Sequence, residues 1–215
     1  MSAVRRFVQV AVAAWAGLPA AAQPLAGGRL PTSFNNIIVV MGGLRAPLYY
    51  VSANQINAQV PYELMAGQQY QTVVRFGSAY SVPQPVTLAA TQPGVAAFDD
   101  GRIIAQDENF QLITDSQPAR RGSGVIVYLV GLGPTVPAVE TGVIAPASPL
   151  AQLNPPPEVT VDGKPARVLF AGLTPGFVGL YQINLVVPAD ATPGLRELVV
   201  RQGGIRGNVT MIPVQ

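Results

Sequence analysis

Two copies of Gln-Ile-Asn constrain this chain more than any other feature. The first stands within residues 49–61, YYVSANQINAQVP, and the second within residues 181–188, YQINLVVP. In both, the tripeptide enters an extended apolar run that a proline ends, and residues 55–61 align with 182–188 without a gap. Ile56, Ala58 and Val60 alternate with Asn57 and Gln59. That period of two sends the apolar set to one face of a strand and the amides to the other. Pro61 ends the run because it has no N–H for the ladder.

The repeat extends backwards. VVMGGLRAPLYYVSANQINAQVP and VTVDGKPARVLFAGLTPGFVGLYQINLVVP each read strand, glycine turn, strand, loop and Gln-Ile-Asn strand. Repetition at this scale predicts two duplicated domains rather than one barrel. Each alternating strand needs a facing sheet to cover its apolar side, so each domain is expected to be a β-sandwich. Further strands are expected at 37–41, 47–51, 71–76 and 86–89, then at 125–130, 159–161, 166–170, 195–201 and 209–214. Asp162-Gly163 is the strongest turn signal in the chain. The long Pro/Ala-rich stretch 134–157 is expected to run along the surface of the second domain.

Composition supports this reading and removes several function classes. Of 215 residues, 22 are glycine and 21 proline, as suits short strands joined by tight turns. The hydrophobic fraction of 49% allows a substantial core, and the charged fraction of 11% is low for a surface. No basic patch stands out, so nucleic acid has no electrostatic footprint here. There is no cysteine for disulfide or thiol chemistry, and no histidine to serve as metal ligand or general base. The glycine-rich loops lack the following helix that a phosphate site needs. These features predict neither a catalytic activity nor a cofactor.

Residues 1–22, MSAVRRFVQVAVAAWAGLPAAA, place Arg5 and Arg6 before an apolar stretch and end on small residues. That is the pattern of a secretory signal peptide, with a degraded first strand as the alternative. The apolar part is short for a membrane span, so no transmembrane segment is expected in the mature chain.

Candidate contact residues each have a plain structural reading beside the functional one. The amides of Asn57 and Asn184 suit a sugar or peptide, but buried amides also serve neighbouring backbone. Gln55 and Gln182 share that reading. Tyr49, Tyr50, Phe170, Phe177 and Tyr181 suit an aromatic binding platform, yet such rings also fill cores. Phe177 sits between glycines in GLTPGFVG, and exposure there would point to a partner. Asp99, Asp100, Asp107 and Glu108 supply oxygen ligands of the kind calcium takes, but match no calcium loop, so solvated turns are expected. The retained contact candidates are Tyr50, Asn57, Phe177, Tyr181 and Asn184.

The runs PTSFNNIIVVMGGLRAPLYYVSANQINAQVPYEL and VTVDGKPARVLFAGLTPGFVGLYQINLVVPADATPG carry a resemblance. Over about residues 30–215 the chain resembles an uncharacterised C-terminal domain family of the Solibacter type. That family occurs in exported acidobacterial proteins and is similar to immunoglobulin-like modules of the IPT/TIG kind. The resemblance implies two tandem immunoglobulin-like β-sandwich domains, at 23–95 and 120–215, with 96–119 as a bridging hairpin. It implies an exported protein, and no activity or catalytic residue carries over; a non-catalytic structural or adhesive role at the envelope or outside the cell is expected. Binding of carbohydrate or peptide by loop aromatics or a free sheet edge is the alternative. A protein or glycan partner at the cell surface is expected, whereas the oligomeric state is not legible. In the family a strand precedes the first unit; here only residues 5–19 occupy that place. If they are a leader, the first domain lacks its first strand and keeps an open edge.

Overall fold

The computed structural model describes residues 7–10, 21–22 and 25–215, with side chains from residue 25 onward. Among the described residues every regular element is a β-strand. The chain divides into two compact units. Unit 1 comprises Met1–Ala90, Ala138–Ala147 and Pro175–Gly179, and unit 2 comprises Thr91–Pro137, Ser148–Thr174 and Leu180–Gln215.

In unit 1 the strands are β1 (Phe7–Val10), β2 (Ala21–Ala22), β3 (Ile37–Met41), β4 (Leu44–Arg45) and β5 (Leu48–Val51). They continue as β6 (Ile56–Gln59), β7 (Gln69–Phe76), β8 (Ala79–Tyr80) and β9 (Gln84–Thr87). One sheet has the order β1-β6-β5-β2, and the other has β4-β3-β7-β8 with β9 also on β7. The arginines and most of the apolar stretch of the proposed leader lie outside the described residues.

In unit 2 the strands are β10 (Gly94–Val95), β11 (Ala105–Asp107), β12 (Gly124–Val130), β13 (Glu158–Val161) and β14 (Lys164–Pro165). They continue as β15 (Arg167–Leu173), β16 (Tyr181–Val186), β17 (Gly194–Gln202), β18 (Ile205–Arg206) and β19 (Thr210–Val214). One sheet has the order β10-β12-β16-β15 with β11 also on β12, and the other has β14-β13-β17-β18 with β19 also on β17. The second sheet of each unit therefore has the same strand order. The section 96–119 falls in unit 2, where Ala105–Asp107 pairs antiparallel with β12.

The hairpin turns follow from residues that tolerate positive φ. Gly42 and Gly43 (φ 56 and 85) join β3 to β4, and Asp162 and Gly163 (φ 56 and 73) join β13 to β14. Positive φ at both central residues gives the turn whose twist matches paired strands.

Alternation decides what is buried. In unit 1 a single cluster takes Ile37, Val39 and Val74 from one sheet and Leu48, Val51, Ile56 and Ala58 from the other. The two sheets thus share a core. In unit 2 the odd residues of β16, Tyr181, Ile183 and Leu185, are buried, as are Val125, Val127 and Leu129 of β12. Leu198 and Val200 of β17 and Ile212 of β19 are buried in the same unit. Burying side chains of this size contributes about 1.5–3 kcal/mol each before the entropy of ordering is counted.

A candidate ligand-binding face

The two Gln-Ile-Asn copies have the same local geometry. In β6, Ile56 points into the core at 1% exposure, and Gln55 Nε2 donates to Asn57 Oδ1 at 2.7 Å. In β16, Ile183 is fully buried, and Gln182 Nε2 donates to Asn184 Oδ1 at 3.1 Å. Residues two apart on a strand share a face, so each pair of amides lies on the side of the sheet away from the core. The bond uses one Gln donor and one Asn acceptor and fixes both side chains in orientation.

The preceding strand carries a register irregularity in both units, between Leu48 and Tyr50 and between Val168 and Phe170. An extra residue in one strand re-aims the side chains that follow it. The result is the same twice: Tyr50 stands opposite Asn57, and Phe170 stands opposite Asn184. Directly opposed residues of an antiparallel pair share a face and touch.

Unit 2 adds a second ring. Tyr128 of β12 stands opposite Gln182, and Ile126 stands opposite Asn184. Both are partly exposed, in alternation with buried Val125, Val127 and Leu129. The Tyr128 hydroxyl donates to Gln106 Oε1 at 2.7 Å, and Gln106 Nε2 donates to the Phe110 carbonyl at 2.9 Å. Burial pushes the Tyr128 phenol above its usual value, so it is a neutral donor at ordinary pH. On the other side, Gly172 stands opposite Gln182. A Cβ at Gly172 would sit 2.9 Å from Phe170 Cζ and 2.2 Å from the Ala151 carbonyl oxygen. The glycine makes the room into which the Phe170 ring leans. The outward face of this sheet therefore has an oriented amide pair flanked in register by Tyr128 and Phe170.

The remaining candidates separate. Tyr181 is 1% exposed and its hydroxyl donates to the Gly133 carbonyl, so it supports the sheet from within. Its parity with Ile183 and Leu185 is the signal that places it inward. Phe177 is 55% exposed in unit 1, on a segment held by main-chain bonds between Ala145 and both Gly176 and Phe177. Tyr50 and Asn57 share the outward face of unit 1. Tyr49, also in unit 1, donates its hydroxyl to the Val178 carbonyl, and burial pushes its phenol far above the usual value. Sequence reasoning missed Tyr128, because it lies in a nearly continuous apolar run where outward positions do not stand out.

Asp100 and Asp107 cap turns, and Glu108 accepts the Gly124 N–H at 3.1 Å. Asp107 Oδ1 accepts from the N–H groups of Asn109 and Gln111 at 2.8 and 2.9 Å. Asp100 Oδ1 accepts from the Arg102 N–H at 3.0 Å. Among the described residues no group of three or more acidic side chains is placed to hold a metal ion. No described helix is long and apolar enough to cross a membrane.

No protein-family model matches the chain, and no curated protein matches it. Among solved structures it is similar to SGBP-B of the Bacteroides ovatus mixed-linkage glucan utilization locus, solved in complex with a mixed-linkage heptasaccharide. The identity is 11% and the TM-score 0.32, over 84% of this chain and 37% of that one. The chain thus spans 37% of the length of the protein it matches.

Proposed function

We propose that this chain is a non-catalytic surface module of an exported bacterial protein, and that it binds carbohydrate on the outward face of the β12-β16-β15 sheet. The observation that carries this is the Gln182–Asn184 amide pair with Tyr128 and Phe170 on either side of it in register. Aromatic rings offer flat apolar surface for the C–H faces of sugar rings, and oriented amides offer a donor and an acceptor to hydroxyl groups. This centre is uncharged, which suits a neutral ligand. The Arg5-Arg6 pattern supports the export part of this reading, while the pairing of Phe7–Val10 with β6 supports the alternative of a degraded first strand. The immunoglobulin-like reading of both domains belongs to the same proposal, as does the resemblance to the Solibacter-type family.

A purely structural or adhesive role is the second reading. The observation favouring it is that the amides of each copy bond to each other, as they would to satisfy themselves.

Electrophoresis of the full chain through gels containing soluble neutral polysaccharides separates the two. Retardation in one such gel, abolished in Tyr128→Ala and Phe170→Ala and kept in Tyr50→Ala and Phe177→Ala, supports binding on this face. Unretarded migration in a broad panel leaves the structural role.

A further inference from the structure

Unit 2 also contains a pocket of about 430 Å³ that the sheet face does not include. Its size falls within the range of about 300–1,000 Å³ usual for small-molecule sites. Two tight turns form its rim. The first is closed by Phe98 N–H to the Arg102 carbonyl at 2.8 Å, and the second by Thr114 N–H to the Gln117 carbonyl at 3.1 Å. Buried Ile103 and Ile113 line its base. Phe98 and Leu112 line it while remaining 48% and 41% exposed. The rest of the lining is largely polar, with Asp100, Arg102, Thr114, Asp115 and Ser116 beside these apolar side chains, and a mixed lining of this kind can take the apolar face and the hydroxyls of one ligand.

The polar part is one linked group. Arg102 Nη2 meets Asp115 Oδ2 at 2.7 Å, tying the first turn to the second, and Arg102 Nη1 lies 3.6 Å from Asp100 Oδ2. These side chains remain about half exposed, so the ion pair itself contributes little to stability. It does hold donors and acceptors in fixed positions beside an apolar wall. One arginine against two aspartates leaves the group net negative, which opposes an anionic ligand.

We propose that this pocket is a second carbohydrate subsite, taking a neutral sugar unit. Its apolar ring face lies on Phe98 and Leu112, and a pair of adjacent hydroxyls bonds Arg102 and Asp115. The inference rests on the carbohydrate reading above and adds a site to it. A linked ligand that reached both contacts would bind the second intramolecularly, so chains of sugars are the probes.

The test is isothermal titration of the full chain with the neutral oligosaccharides cellohexaose, xylohexaose and mannohexaose, with a polygalacturonate oligomer as the anionic control. The variants are Phe98→Ala, Phe98→Leu, Asp115→Asn and, on the sheet face, Tyr128→Ala. Each variant's thermal unfolding is measured beside the wild type. The expected result is binding of a neutral hexasaccharide that Phe98→Ala and Asp115→Asn each weaken by about fivefold to tenfold, at unchanged thermal midpoint, with Phe98→Leu less affected. Wild-type affinity in both pocket variants, with binding lost in Tyr128→Ala, overturns the subsite and leaves the sheet-face reading standing. Binding that none of the variants alters overturns both sites. Preference for the anionic oligomer, or no binding to any probe, also overturns the proposal.

Discussion

Gln182 donates its side-chain N–H to Asn184 across a single intervening residue, and Gln55 does the same to Asn57. The buried isoleucine between them anchors the strand, while the two amides are held on the other face. The tripeptide is thus a small device for presenting a fixed amide pair on a sheet. The bond is partly exposed, so its net contribution to stability is about 0.5–1.5 kcal/mol. Asn184→Ala is expected to cost no more than that in urea denaturation while abolishing retardation by polysaccharide. A large stability loss with binding intact would assign the pair to the scaffold instead.

Gly172 tests the platform from beneath. Its Cβ would meet the Ala151 carbonyl oxygen at 2.2 Å and Phe170 Cζ at 2.9 Å. Gly172→Ala is expected to destabilise unit 2 by about 1–3 kcal/mol, the usual cost of overpacking. It also displaces the Phe170 ring, so binding falls more than in a variant of equal stability elsewhere. Denaturation and binding measured on the same preparation check both effects.

Tyr49 joins strand β5 to the loop segment 175–179 inside unit 1 by its bond to the Val178 carbonyl. Tyr49→Phe removes the donor and leaves a buried acceptor, an expected loss of about 1–3 kcal/mol. Burial, and secondarily the Tyr62 phenol, raise the Tyr49 pKa in the folded state. A raised folded pKa gives stability that is complete below the ordinary value of 10.0 and is lost as pH rises above it. The wild type is therefore expected to lose stability above about pH 10 more steeply than Tyr49→Phe. Parallel alkaline limbs in the two proteins would count against this role.

Asp162 acts at the opposite end of the pH scale. Its carboxylate accepts the Thr192 N–H at 2.9 Å, and this bond, with smaller help from Arg196 and Lys164, holds its pKa below the usual carboxylate value. A lowered folded pKa gives stability present above the ordinary value of 3.8 and lost as pH falls below it. Asp162→Asn is expected to flatten this part of the acid limb while keeping the β13–β14 turn, since Asn also tolerates positive φ. Thermal unfolding from neutral to acid pH checks it, and an unchanged acid limb in the variant contradicts it.

The strands were legible because alternation is local. Ile56, Ala58 and Val60 announce their inward face, and Asp162-Gly163 announces its turn, without any knowledge of neighbours. What depends on pairing was not. The irregularities after Leu48 and Val168 are invisible to alternation, yet they decide that Tyr50 and Phe170 stand opposite the asparagines. Tyr128 sits in an apolar run, and only its register with Gln182 shows that it faces outward. Residues 134–157 read as one surface connection of the second domain, whereas Ala138–Ala147 belongs to unit 1. Its ties there, such as Gly142 N–H to Gln59 Oε1 at 2.7 Å, join residues far apart in sequence.

The outward amides of β16 are expected to contact sugar directly. Titration of isotopically labelled protein with cellohexaose, xylohexaose and mannohexaose, followed through the side-chain NH2 resonances, measures this directly. The prediction is saturable shifts at Gln182 and Asn184 with one of these sugars, together with the ring resonances of Tyr128 and Phe170. Silent Gln182 and Asn184 amides at saturating concentrations of all three would contradict it.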